Sequence, residues 1–326
     1  LIYDLKLRIE CKPERFTLYF LLKRKLPFYT YLLIFIRFFS RMISVVQGGK
    51  NMSEITRVAL DAMGGDNAPG EVLKKELSAY TYPKEQIEIV NATEVIETAE
   101  PPVKAIRGKK DSSIVVAMKM VKKGEADAFV SAGSSGAVLV GGQVLVGRIK
   151  GVERPPLAPL IPTLKGVSLL IDCGANVDAR PSHLVQFARM GSIYMESVMG
   201  KKNPTVGIVN IGAEEEKGNA LVKETFPLLK ECSDINFIGS VEARDIPYGV
   251  ADVIVCEAFA GNIILKLYEG VAGGLMKKVK EGMMSSLRSK IGALLVKPAL
   301  KKVLKDFDTS NHGGAPLLGL NGLVVK

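Results

Sequence analysis

Several glycine-rich stretches hold the residues that could do chemistry, and the chemistry they suit is the holding of an anion. In Arg57–Gly70 an apolar run stops at Asp61, and Gly64, Gly65 and Asp66 follow at once. Residues without a Cβ let a backbone approach a ligand closely. With acids there rather than a lone lysine, main-chain N–H groups must do most of the holding. Asp61 and Asp66 suit ordering the turn better than touching phosphate, because like charges repel. SAGSSGA (Ser131–Ala137) offers amides and hydroxyls of Ser131, Gly133, Ser134, Ser135 and Gly136 at a helix start. No GKS or GKT follows it and no GxGxxG fingerprint follows a strand, which sets aside Walker and dinucleotide loops. Ile171–Leu184 puts Gly174 and Asn176 at a turn, with His183 about a turn into the next element. Asn210–Asn219 sets acids beside Lys217 and Asn219, and Glu257–Lys266 puts Gly261 and Asn262 at a helix start with Lys266 one turn on. Each turn alone is a weak signal, but five on one sheet would make a shared pocket lined with amides.

What must position these turns is an alternation of short β-like runs and longer helical stretches. Candidate strands are Arg57–Asp61, Ile87–Asn91, Ala128–Ser131, Ser168–Asp172, Thr205–Ile211, Asn236–Gly239 and Val253–Cys256. Most end in Gly, Asn, Asp or Ser and lead into a helical pattern. This predicts an α/β fold with a largely parallel sheet and helices on both faces. Pro155, Pro156, Pro159 and Pro162 punctuate an irregular stretch that could separate two lobes.

A net charge of +10 would suit nucleic acid, but its distribution argues otherwise. Residues 1–51 hold 10 Lys/Arg against 3 Asp/Glu and 10 of the 21 Phe and Tyr, leaving 34 against 31 elsewhere. The body is close to neutral, so nucleic-acid binding loses its support. Within the leading segment the longest uncharged run, Leu26–Ile36, is far short of the roughly 20 residues a spanning helix needs. No small-residue cleavage site follows it. Residues 1–51 therefore read as a non-native or unstructured extension before a true start at Met52, or else as an interfacial anchor. Residues 52–326 form the α/β domain. Cys11, Cys173, Cys232 and Cys256 lie far apart, and only His183 and His312 could join them. No metal site is expected, and reduced thiols suit a cytoplasmic protein.

Ser285–Lys305 departs from this style. Leu287, Ile291, Leu294 and Leu295 follow helical spacing, and Leu300, Val303 and Leu304 repeat it after a break expected at Pro298. The other face is basic through Arg288, Lys290, Lys297, Lys301, Lys302 and Lys305. A basic amphipathic helical hairpin at about 275–305 suits an anionic bilayer surface, with Leu294–Val296 as its tip. It equally suits a subunit interface with its lysines solvated.

Taken in order, DAMGGDNAP, KKDSS (Lys109–Ser113), SAGSSGA, GRIKGVERPPLAPLIPT (Gly147–Thr163), IDCGANVDARPSHLVQFA, NIGAEEEKGN, FIGSVEARD (Phe237–Asp245), GNIILK and GGAPLLGLNG resemble one family over Arg57 to Lys326. It is the phosphate acyltransferases of bacterial phospholipid synthesis. The resemblance implies conversion of acyl-[acyl carrier protein] and inorganic phosphate to acyl phosphate, with no cofactor. It further implies an isopropylmalate-dehydrogenase/phosphotransacetylase-like fold, a homodimer and peripheral association with an anionic membrane surface. That last point favours the bilayer reading, with Leu287, Ile291, Leu294, Leu295 and Val296 as contacts. The chain departs from the family in three places. Relatives carry a further strand and helix before Ile87–Asn91, continue past the glycine-rich end with another helix, and often read SAGNTGA at the second turn.

The implied reaction is attack of a phosphate oxygen on a thioester carbonyl with expulsion of the carrier thiol. Phosphate is already nucleophilic at neutral pH, so the protein must hold it, stabilise the oxyanion and exclude water. Lys217 or Lys266 would assist the turns, and Asn176, Asn219 and Asn262 are candidate oxyanion donors. His183 would protonate the leaving thiolate or orient phosphate, or else serve structure alone. The rivals are a phosphotransacetylase acting on short acyl-CoA, a nicotinamide-dependent dehydrogenase and a membrane-binding scaffold.

Overall fold

The computed structural model describes residues 3–9, 56–61, 87–306 and 314–326. They belong to two compact units, Leu1–Pro155 with Gly313–Lys326, and Pro156–His312. The division falls inside the proline-punctuated stretch, so the α/β region read as one domain is two units.

In the first unit β1 (Tyr3–Ile9), β2 (Thr56–Asp61), β3 (Ile87–Asn91), β4 (Ala128–Ser131) and β10 (Leu323–Val325) form a sheet in the order β10-β4-β2-β1-β3. Strands β2, β4 and β10 run parallel, with Asp61 opposite Ser131, while β1 is antiparallel to both its neighbours. Helices α1 (Pro102–Gly108), α2 (Ser113–Lys122) and α3 (Ser135–Gly141) complete the unit, and Phe129, Ile114 and Met118 are buried in its core. Strand β1 lies in the segment read as an extension, the remainder of which is outside the described residues. Its signal is local: Tyr3, Leu5, Leu7 and Ile9 alternate with Asp4, Lys6 and Arg8, the period of a half-buried strand. The charge and aromatic excess of the whole segment masked that alternation.

In the second unit β5 (Leu160–Thr163), β6 (Gly166–Ile171), β7 (Thr205–Asn210), β8 (Asn236–Glu242) and β9 (Val253–Val255) follow the order β5-β6-β9-β7-β8. All neighbours are parallel except β5 with β6. Pro162 confines β5 to the edge, where a missing N–H breaks no ladder. The central strands are continuous apolar runs because both faces are covered. Leu169, Ile171 and Val253 meet α4 (Pro181–Ser197) at Gly191, where an added Cβ would lie 2.6 Å from Val253. On the alternate residues, Leu170 and Ile254 belong to a cluster packed by Ile264 and Leu265 of α6 (Ala258–Met283). Helix α5 (Ala220–Lys230) follows β7.

The α/β class and the parallel pairing agree with the sequence reading, but the strands lie in two sheets rather than one. After α6, Met284–Ser286 lead into α7 (Leu287–Asp306), whose start is held by Ser289 N–H donating to Ser286 Oγ at 3.1 Å. Helix α7 runs through Pro298 without the expected break. Proline there removes one hydrogen bond, to the carbonyl of Leu294, and on this exposed stretch water can satisfy that oxygen. Among the described residues no helix is long and apolar enough to cross a membrane.

Candidate active site

The turn after β4 is organised by a buried relay. Ser131 Oγ donates to Asp61 Oδ2 at 2.6 Å, and Gly133 N–H donates to Ser131 Oγ at 2.9 Å. Asp61 and Ser131 are 5% and 1% exposed, so this hydrogen bond is shielded from water. Ser134 caps α3 by accepting the Ala137 N–H at 3.3 Å. A side chain at Gly136 would strike Pro102 of α1, at 2.5 Å. Three of the residues assigned to anion holding, Ser131, Gly133 through its spent N–H, and Ser134, thus build the turn, and Asp61 orders it with them. The first-turn N–H groups of Ser135 and Gly136 have no protein acceptor among the described residues, which is the helix-terminal geometry that attracts anions. Lys326 Nζ reaches the Ala132 carbonyl of the same turn at 3.2 Å. Gly64, Gly65 and Asp66 lie outside the described residues.

In the second unit the turn after β6 is built on Asp172, which the sequence reading passed over. Its carboxylate is fully buried and accepts four donors: Leu157 N–H at 2.9 Å, Ala175 N–H at 3.2 Å, and the N–H and Nδ2 of Asn176, both at 2.8 Å. Burial raises its pKa above the ordinary carboxylate value, against the lowering by these hydrogen bonds. Asn176 therefore spends side-chain hydrogen-bonding capacity on Asp172, and its carbonyl accepts Ala258 N–H at the start of α6. Gly174, at φ +120°, has the Asn262 Oδ1 as neighbour, 4.0 Å from where its Cβ would be. The structure brings these two together.

Gly261 serves packing. An added methyl would sit 1.9 Å from the Asp172 carbonyl oxygen, and its N–H donates to the Glu257 carbonyl inside α6. Glu257 already caps that helix, accepting Phe259 N–H at 2.6 Å and Ala260 N–H at 2.8 Å. The reading of Gly261 as a phosphate-facing amide at the helix start is thus corrected, because the helix begins three residues earlier and a carboxylate occupies its end. His183 is 6% exposed, and its Nδ1 accepts Arg180 N–H at 3.1 Å, so it helps close the first turn of α4. Asn219 caps α5 through Val222 N–H at 2.9 Å. Lys217 pairs with Glu214 at 2.8 Å and Lys266 with Glu269 at 3.1 Å, both on exposed surface. That ion pair raises the Lys217 pKa.

Asn210, given no role of its own in the sequence reading, and a groove beside it complete this end of the unit. Asn210, at the tip of β7, donates to Ser240 Oγ at 3.0 Å and accepts Ile211 N–H at 2.8 Å. Beside it a groove of about 590 Å³ opens between the starts of α5 and α6, mostly apolar, with Asn210, Asn219, Glu242, Arg244 and Glu257 as its polar lining. It lies at the carboxyl ends of parallel strands, where α/β sheets bind ligands. Its depth depends on which strands are neighbours, which no local pattern states. Cys173 and Cys256 are buried, and burial pushes both thiols well above their ordinary pKa. They stay protonated at neutral pH. Among the described residues no group of three or more His, Cys, Asp or Glu could hold a metal.

Residues 75–326 match the model of a family described as "Fatty acid synthesis protein". A curated relative named "Phosphate acyltransferase", from Clostridium novyi (strain NT), is 49% identical over 294 residues, 83% of this chain and 88% of its own. Another of that name, from Alkaliphilus oremlandii (strain OhILAs), is 50% identical over 293 residues, 83% and 87% of the two chains. Among solved structures, the EutD phosphotransacetylase from Staphylococcus aureus overlaps 72% of this chain and 79% of its own at TM-score 0.44 and 18% identity, too loosely to support an inference.

Proposed function

The chain belongs to the phosphate acyltransferase family and is an acyltransferase that moves an acyl group to phosphate; from that premise we propose that its donor is long-chain acyl-[acyl carrier protein] and its product an acyl phosphate for phospholipid synthesis. Phosphate is held by main-chain N–H groups of the glycine-rich strand-end turns and attacks the thioester directly. The observation that carries this reading is the β4–α3 turn, where the Asp61–Ser131–Gly133 relay and the Ser134 cap leave the Ser135 and Gly136 amides for a ligand. In the second unit the Gly174 backbone beside Asn262 offers a comparable place for an oxyanion.

A phosphate oxygen bonds to the thioester carbon, the carbonyl oxygen becomes an oxyanion, and collapse breaks the C–S bond to release a thiolate that takes a proton. A covalent enzyme intermediate is unnecessary. Protonated Cys173 and Cys256 are poor nucleophiles, and buried Ser131 has its proton directed to Asp61. His183 and Lys217, held by Arg180 and Glu214, have structural partners that account for their places.

We place the enzyme at the cytoplasmic face of an anionic membrane as a homodimer. Leu287, Ile291, Leu294 and Leu295 are 59–76% exposed, as a bilayer contact requires, and Leu267, Val271 and Leu275 leave an apolar stripe on α6 that a second copy would cover. Incubation with palmitoyl-[acyl carrier protein] and labelled phosphate should yield acyl phosphate, and acetyl-CoA should serve far less well. Preference for acetyl-CoA would replace this reading with a short-chain phosphotransacetylase.

A further inference from the structure

We propose that the groove between α5 and α6 holds the acyl chain, and that Ala260 and Ile263 set the chain length it admits; this rests on the acyl-transfer reading above. A polymethylene chain offers no hydrogen bond, so a site for it needs apolar walls and polar groups at one end only. The groove has that form. Leu184 and Ile208, both buried, line it together with Val222 of α5 and Ala260 and Ile263 of α6. Its polar lining, Asn210, Asn219, Glu242, Arg244 and Glu257, follows the carboxyl ends of β7, β8 and β9. There the Asn176 carbonyl accepts the Ala258 N–H, tying the groove's α6 wall to the Asp172 turn. The reacting carbonyl therefore belongs at the polar end and the alkyl tail against α6. At about 590 Å³ the groove is within the range of pockets that enclose drug-sized ligands. Ile263 is 48% exposed on its wall and Phe259 63% exposed at its mouth, apolar surface that an alkyl chain would cover.

The test pairs specificity with direct binding. Each buried methylene is worth about fourfold in affinity, so a phenylalanine at 260 that excludes about three should shift the ratio of rates roughly 50-fold. In A260F the C16-to-C8 ratio of kcat/KM for acyl-[acyl carrier protein] should fall by that amount, with KM for phosphate moving less than twofold. The chain contains no tryptophan. I263W thus provides a single reporter, whose emission a brominated hexadecanoic acid should quench saturably, and adding A260F should abolish the quenching. An unchanged ratio in folded A260F, equal losses for both donors, or absence of quenching in I263W would overturn the proposal. So would a change of oligomeric state without a change of ratio, which would assign the groove to a second copy. If A260F fails to fold, the quenching decides. If the unaltered chain makes no acyl phosphate from any donor, the acyl-transfer reading fails, while the quenching still reports whether the groove takes an alkyl chain.

Discussion

Gly261→Ala probes how closely α6 is seated on the end of β6. At an open helical position this change stabilises by about 1 kcal/mol, since alanine loses less backbone entropy and favours the helix. Gly274 is such a position: nothing lies within 4 Å of the methyl it would gain. Gly274→Ala should therefore raise stability by about that amount. At Gly261 the same methyl would stand 1.9 Å from the Asp172 carbonyl oxygen and 2.9 Å from the Cys256 sulfur, where ordinary contact begins near 3.4 Å. One obstacle is backbone, so a rotamer change cannot relieve it, and α6 must retreat by about 1.5 Å. Overpacking of this kind costs about 3 kcal/mol at its upper end. After the helical gain the net loss is about 2 kcal/mol, or roughly 4–8 °C in Tm for a unit of this size. The retreat also carries Asn262 away from Gly174, and a displacement near 1 Å can cost about a hundredfold in rate. Calorimetry on both variants, with acyl phosphate formation measured in parallel, checks the prediction. A Gly261→Ala protein that melts at or above the parent and turns over fully would refute the close seating and the site built on it.

Three further outcomes are expected. Asp172→Asn replaces a carboxylate oxygen that accepts two hydrogen bonds by an amide or leaves a poorer acceptor, and should cost about 3 kcal/mol. Because burial raises the Asp172 pKa, the folded state binds this proton more tightly than the unfolded chain. Its contribution is full below the unfolded value, near pH 4, and is lost as pH rises through the raised folded value. The variant should lack that slope in denaturant titrations carried upward from about pH 4. Ser131→Ala cuts the relay from Asp61 to Gly133 and should raise KM for phosphate about tenfold with little effect on KM for the acyl donor, as steady-state kinetics would show. Leu294→Glu with Leu295→Glu removes two side chains worth about 1.5 kcal/mol or more each at a bilayer, so cosedimentation with anionic vesicles should fall by at least tenfold. Undiminished sedimentation would remove α7 from membrane contact.

The local text of this chain determines seven of its ten described strands. Each of the seven candidate strands appears within three residues at either end, because an apolar run bounded by Gly, Asn, Asp or Ser is a property of neighbours in sequence. The glycine-rich turns were legible for the same reason, as was the family through their order. Tertiary structure alone decided which backbone groups are spent and which are open. Gly261 and Gly133 look alike as glycines in a turn, yet one keeps a helix against the Asp172 carbonyl and the other gives its N–H to Ser131. Asp172 reads as the last residue of a strand until the fold aims four donors at it from Leu157, Ala175 and Asn176. The division into two sheets and the groove between α5 and α6 likewise follow from pairings across 30 residues and more. A strand's composition says that it will be buried; only the chain's return from a distance chooses the neighbour that buries it.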